Sequence, residues 1–203
     1  MKFLMMALFT MSTSFAQFKA PQVPPQNQGQ CIKSACQILG SFGCRSDYEL
    51  RRIEDACTRQ IDLNCIDNSL NKLSRFEFDD ANELTEIIKS CQYVYSLAPS
   101  FAATFLSKFD LDDRHEVVAL NNSTWLADPR CVKDATSRLS RFDKDDLHEV
   151  TAITSHCTGT YDRECFQRAC PTQSRSSCDN TDEVRRALNY CVSGPSRQDR
   201  RRL

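Results

Sequence analysis

Glycine is scarce: 5 residues of 203, about 2.5% where globular domains carry roughly 7%. Sandwiches and barrels use glycine at turns and bulges, so an all-β architecture is disfavoured. No glycine-rich loop is present to cradle a phosphate. After the first residues no run approaches the ~20 apolar side chains that cross a bilayer. The net charge is -1, so the chain lacks the broad basic field of a nucleic-acid binder. No H-E-x-x-H, G-x-S-x-G or Ser/His/Asp grouping occurs. The C-x2-C spacing of zinc sites is missing as well; the closest spacing is C-x4-C, from Cys31 to Cys36.

What the chain does have is cysteine, 12 in all. Its first residues, MKFLMMALFTMSTSFA, place Lys2 before an apolar run and small residues, Ser14 and Ala16, at the positions before a cut after Ala16. This pattern predicts a signal peptide over 1–16 and a secreted or periplasmic chain. An even cysteine count in such a compartment predicts disulfides. Residues 17–30, rich in proline and glutamine, are expected to be a disordered or polyproline-like linker. The end, 192–203, includes RQDRRRL and reads as a basic, solvated tail.

Between these lies an internal repeat. Leu73-Ser74-Arg75-Phe76, Leu106-Ser107-Lys108-Phe109 and Leu139-Ser140-Arg141-Phe142 recur every 33 residues. Weaker copies around Phe42 and Ser176 flank them. Repeats therefore start at Cys31, Cys65, Ala98, Cys131 and Cys165, and the repeated domain spans 31–191. In each, Cys65, Ser69, Leu73 and Phe76, or Cys131, Ala135, Leu139 and Phe142, follow the spacing of one helix face. Asp62, Asp128 and Asp162 mark the start of this first helix, and Pro129 suits its first turn. The second helix starts at Ser46, Asp80, Asp113, Asp146 and Asn180, with Glu49, Glu83, Glu116, Glu149 and Glu183 three residues on. That is a capping box in every repeat. It predicts helices over 47–57, 81–91, 114–124, 147–157 and 181–191, with Leu84, Ile87 and Cys91 or Val150, Ile153 and Cys157 facing the core. A short helical hairpin cannot bury its apolar face alone, so the expected fold is all-α, an α-solenoid of five disulfide-stapled hairpins.

Twelve cysteines allow on the order of ten thousand pairings, but the repeat selects among them. Cys31 and Cys57, Cys65 and Cys91, Cys131 and Cys157, and Cys165 and Cys191 are each 26 apart. The third repeat replaces both members, with Ala98 and Thr124. Cys36 with Cys44 and Cys170 with Cys178 share one set of offsets in the end repeats, and the middle repeats lack both. Sites present together or absent together are bonded pairs. Cys65 and Cys91 both lie 11 residues from the turn, roughly 16 Å along facing helices, which suits a disulfide. The short pairs suggest that the first helix is shortened in the end repeats, where Gly40, Gly43 and Pro171 also stand. In the third repeat the aromatic side chains of Phe101, Phe105 and Phe109 are expected to supply packing in place of the cross-link, with Trp125 packed nearby.

The acidic clusters around Asp110–Asp113 and Asp143–Asp146 do not follow a calcium loop, because His115 and Asn121 fall where glycine and glutamate are needed. Capping explains them. His115, His148 and His156 read as ordinary side chains. No metal, no cofactor and no catalytic residue is expected.

Phe76-Glu77-Phe78-Asp79-Asp80 and Phe109-Asp110-Leu111-Asp112-Asp113 resemble a family of secreted bacterial domains of unknown function. That family is built on repeated F-x-F-D-[S/D] helical segments. The likeness covers 65–157 best and implies a helical repeat without implying an activity; the disulfides depart from it. The expected function is non-enzymatic binding of a protein or a cell-envelope polymer, without nucleic acid or a transmembrane segment. The alternatives are a structural component of an envelope assembly and an enzyme with an unrecognised site.

Overall fold

The computed structural model describes residues 28–40, 44–92, 97–104, 106, 110–140, 143, 146–171 and 178–194. The proposed signal peptide therefore lies outside the described residues, as do most of the linker and the RQDRRRL end, together with Phe42, Phe105, Phe109, Phe142 and Ser176. Among the described residues the chain is mostly helical. The first helix of each repeat is α1 (Gln28–Leu39), α3 (Leu63–Leu70), α5 (Leu97–Ala103), α7 (Pro129–Thr136) and α9 (Arg163–Ala169). The second is α2 (Asp47–Ala56), α4 (Ala81–Ser90), α6 (Arg114–Ser123), α8 (Leu147–Thr154) and α10 (Thr181–Cys191). Two short strands, β1 (Thr160–Tyr161) and β2 (Val192–Ser193), pair antiparallel. Gln28–Gln30, expected in the linker, belong to α1, and Val192 and Ser193, expected in the tail, form β2. No helix among the described residues is long and apolar enough to cross a membrane.

Each second helix begins where a side-chain oxygen captures first-turn N–H groups. Ser46 accepts from Glu49 N at 3.2 Å, and Glu49 accepts from Ser46 N at 3.2 Å, a reciprocal box. Those bonds from Ser46 hold the Glu49 carboxyl below its ordinary range. Asp113 and Glu116 form the second such box. The expectation of a full box in every repeat needs correction at the other three, α4, α8 and α10. Asp80 caps α4 through Asn82 N and Glu83 N, but Glu83 reaches back to Asp79 N. At α10 Asn180 accepts from Glu183 N, while Glu183 accepts from Cys178 N and Asp179 N. In α4 the displacement has a cause: Arg114 draws the other Glu83 oxygen away, at 2.7 Å. Asp146 caps α8 by accepting from His148 N and Glu149 N, but Glu149 makes no return bond to Asp146 N.

Within repeats the helices are joined at their far ends. Cys31–Cys57, Cys65–Cys91, Cys131–Cys157 and Cys165–Cys191 are bonded, with Cα–Cα distances of 5.8, 5.6, 5.5 and 5.4 Å. Beside three of them a backbone bond closes the same end: Asp62 N to Cys91 O, Asp128 N to Cys157 O and Asp162 N to Cys191 O. The donating aspartate also caps the first helix, through Cys65 N, Arg130 N and Cys165 N respectively. One residue thus fixes helix start and helix pairing together. In the last repeat β1 and β2 extend this closure. There Gly159 comes so near Ser193 and Gly194 that a Cβ would lie 2.7 Å from Ser193 O.

Cys36–Cys44 and Cys170–Cys178 are bonded too, at 5.6 and 5.4 Å. Cys44 and Cys178 adopt φ of 63° and 66°, the left-handed region that side chains with a Cβ avoid. The six disulfides and the lack of a membrane-length helix among the described residues fit an extracellular or periplasmic protein. The inference about shortened first helices does not hold at the N-terminal end: α1, with 12 residues, is the longest first helix, and α3 has only 8. The turn after the first helix is the reason. The chain leaves α3 at Leu70 and continues as a 3-10 turn over Arg75–Glu77. Phe76, read as a core residue of that helix, is 82% exposed.

α2 packs on α4, α4 on α6, α6 on α8 and α8 on α10, and α5 lies against α7. The apolar side chains form two clusters. One runs from Cys31 to Cys91 and takes in Trp125; the other runs from Ala98 to Cys191 and takes in Leu73. Leu84, Val117, Leu120, Val150 and Ile153 are buried, as their stripes require.

A polar seam adjoins both clusters. Asn121, 2% exposed, donates to Ser69 Oγ and Ser90 Oγ, both at 3.0 Å. Ser90 in turn donates to Ile87 O at 2.7 Å. Buried polar groups are tolerated only when so satisfied. Thr124, in the slot of the missing cysteine, is buried and returns its hydroxyl to Leu120 O and Asn121 O.

Two measurements follow from these contacts. Asp113→Ala should lower stability by about 1 kcal/mol, and Asp112→Ala by much less, because only Asp113 caps α6; equal shifts in denaturant melts would misplace the helix start. In the third repeat α6 is held from both sides, by Asn121 and by Ser123, whose hydroxyl meets that of Thr154 at 2.6 Å. Local opening should therefore begin in the seven-residue α5. Hydrogen exchange should be faster at 100–103 than at 117–123, and the reverse order would place the weak point in α6.

Candidate functional site

The C-terminal ends of α2, α4 and α6 come together around a cleft of about 240 Å³, lined by Arg59, Lys89, Gln92, Asn122 and Trp125. The repeat explains the composition. Lys89 and Asn122 stand nine residues after their caps, Asp80 and Asp113; Gln92 and Trp125 stand twelve after. Two successive repeats therefore present equivalent positions side by side, and Arg59 enters from the loop after α2.

Local structure fixes the display. Gln92 follows the C-cap Cys91, pairs with Ile61 as an isolated bridge, and donates from Nε2 to Ala56 O at 3.2 Å. Its side-chain oxygen is left to face other donors. Trp125 follows the C-cap Thr124 and packs against the N-terminal apolar cluster, half-buried. The next residue, Leu126, has φ of 54°, and Ala127 N donates to Thr124 O. This tight turn carries the chain back towards Asp128 and holds the indole at the rim. Lys89 occupies the last turn of α4, where the helix dipole favours a cation. Lys89 and Arg59 are exposed, and neither has a carboxylate partner within ion-pair distance among the described residues. The cleft is thus lined by two cations without ion pairs among the described residues, two amides and an indole.

Other charged groups are absorbed by contacts between repeats. Arg114, its side chain 15% exposed, pairs with Glu83 at 2.7 Å and Glu86 at 3.0 Å, and its backbone N–H donates to Glu77. Burial would lower its pKa, but the three carboxylates outweigh that and hold the guanidinium charged. Burial would likewise raise Asp128, yet its bonds to Arg130 keep it below the usual range. Tyr161 donates to Asp134, which also pairs with Arg163 at 2.9 Å. Burial first, and then the Asp134 charge, push that phenol upward. Lys133 lies 5.6 Å above the Phe101 ring.

The cysteines and caps named from sequence build the scaffold and are not part of the cleft lining. The caps of α4 and α6 stand at the opposite helix ends, roughly 15 Å away. His115 and His148 are exposed in the first turns of α6 and α8, and His156 Nδ1 meets Ala152 O at 2.8 Å. Trp125 was visible in the sequence, but as a packing residue. Arg59, Lys89, Gln92 and Asn122 were not singled out. Their signal is weak: they occupy positions that vary between repeats whose caps and cysteines recur.

Because Arg59 and Lys89 form no ion pairs among the described residues, Arg59→Gln and Lys89→Gln should change unfolding stability by less than about 0.5 kcal/mol. Arg114→Ala leaves Glu83 and Glu86 facing each other and should cost roughly 1–2 kcal/mol. Denaturant melts of the oxidised protein separate the two classes; similar losses for all three would mean that the cleft cations are structural.

No family model matches the chain, and no curated protein or solved structure matches it significantly.

Proposed function

We propose that this is a non-enzymatic, secreted or periplasmic helical-repeat protein that binds a cell-envelope partner. In this reading the five helix pairs stack as an α-solenoid, each stapled internally, with the second helices forming one continuous row. The packing of α2 through α10 in sequence order supports that arrangement. Stacked repeats present equivalent positions on neighbouring units, the usual basis of an extended binding surface.

The observation that carries the function is the cleft. Cations with no ion-pair partner among the described residues, set beside amides and an indole, are a recognition set rather than a reaction centre. The charged groups whose pKa values shift in α6, α7 and β1 are committed to caps and inter-repeat ion pairs.

The test is co-sedimentation of the oxidised mature protein with purified bacterial cell-envelope material, alongside an Arg59→Gln/Lys89→Gln/Trp125→Ala variant. Binding should fall at least tenfold in the variant and weaken with salt. No sedimentation of the wild type would overturn the envelope reading. Equal sedimentation of the variant would move the binding surface elsewhere.

A further inference from the structure

We infer that the Cys36–Cys44 disulfide is a thiol–disulfide exchange site, opened by a dithiol and closed again while the other five bonds and the helical fold persist. This property is independent of what the cleft binds.

Access singles the bond out. A thiolate must reach a sulfur to cleave a disulfide. Of the six bonds, Cys36–Cys44 alone has both cysteines part-exposed. Cys165–Cys191 has one part-exposed member, Cys165, and in the remaining four bonds both members are buried. Cys170–Cys178 is the internal control. It has the same separation of 8 residues and the same left-handed second cysteine, with φ of 66° at Cys178 against 63° at Cys44. Yet Cys170 is 0% and Cys178 6% exposed, and Cys178 N donates to Glu183 at 2.8 Å. The two end bonds share loop length and backbone conformation and differ in whether a thiolate can reach them.

Opening the bond also costs the fold little. A cross-link over 8 residues restricts the unfolded chain less than one over 26. Cys44, once released from α1, can leave the left-handed region that a residue with a Cβ avoids. What remains still holds the first repeat together. Cys31–Cys57 joins α1 to α2 at the far end, and Ser46 and Glu49 keep α2 capped. Ala35 and Leu39, on either side of Cys36 in α1, are buried in the N-terminal cluster. Arg75 of the second repeat donates to Ile38 O at 3.4 Å, at the C-terminal end of α1.

The exchange itself is balanced. One thiolate of the dithiol attacks a sulfur of the pair, and the S–S electron pair leaves on the other sulfur as a thiolate. The donor's second thiolate then attacks the donor sulfur of the mixed disulfide, closes a donor disulfide and releases the remaining cysteine. Two electrons and two protons pass from the dithiol to Cys36 and Cys44, and a disulfide oxidant takes them back by the reverse steps.

The test is stepwise reduction of the oxidised protein by dithiothreitol without denaturant, with trapping by N-ethylmaleimide and peptide mapping. Cys36 and Cys44 should be labelled together at a dithiothreitol concentration about tenfold below that which labels any other pair, with helical circular dichroism unchanged. Glutathione disulfide, added before the trap, should close the bond again. Cys36→Ser/Cys44→Ser should keep the helical signal and lose the first labelling step, while the other five pairs open where they do in the wild type. Labelling of Cys170 and Cys178, or of any long pair, at the same or a lower concentration would overturn the inference. So would failure of the bond to close, or loss of helical signal at the first step or in the double variant.

Discussion

The fold depends first on how four of the five repeats are shut at the end away from the turn. A pair of helices of seven to twelve residues is too short to be stable alone in water. At that end a disulfide spans 26 residues, and beside it, in three repeats, a backbone N–H from the capping aspartate meets the carbonyl of the second cysteine. The cross-link removes roughly 3 kcal/mol of unfolded-chain freedom. The backbone bond sets the register, so that the cysteines lie level and the apolar stripes of both helices face inward together. With register fixed at one end and the N-cap fixed at the other, the length of each second helix is determined.

The third repeat indicates what the cross-link does by doing without it. Ala98 and Thr124 stand in the cysteine slots, and both are buried. Thr124 spends its hydroxyl on its own helix, so it adds no tie across the pair. The ties come from the neighbours instead. Asn121 reaches into the second repeat, Ser123 meets Thr154 of the fourth, and Arg114 binds two glutamates of α4. Four long cross-links act within repeats, and this repeat is held by contacts between them. It also lies where the apolar core divides into two clusters, with a polar seam beside the division.

Repetition made part of this architecture legible. Caps recur because each second helix needs its first N–H groups satisfied, and cysteines appear and vanish in pairs because half a disulfide serves nothing. The apolar stripes follow from helix period. Two things were not legible, and a third was legible only in part. Phe76 recurs as reliably as a core residue yet is exposed, because recurrence cannot tell burial from another shared constraint. The first helices end sooner than their periodicity suggests, because the spacing i, i+4, i+8, i+11 runs through a turn and a 3-10 segment as easily as through a helix. Ser69 did carry a signal: four repeats have alanine there, and the serine answers a buried asparagine 52 residues away. Only the structure brings that partner within reach.

The cleft was hidden for a related reason. Four of its residues are departures from the repeat at positions nine and twelve after the cap, where the scaffold asks only for a helix end, and Arg59 stands one position further on, in the loop after α2. Beneath Lys89 and Gln92 the disulfide, the aspartate bond and the cap fix the backbone; beneath Asn122 and Trp125 the cap of α6 and the contacts of Asn121 and Ser123 with neighbouring repeats do so. A site built this way can carry exposed charge without weakening the fold, since no core packing or ion pair among the described residues depends on Arg59 or Lys89. The same separation explains why the cleft lies across repeats: one helix end offers only two such positions, so the ends of α2, α4 and α6 line it together.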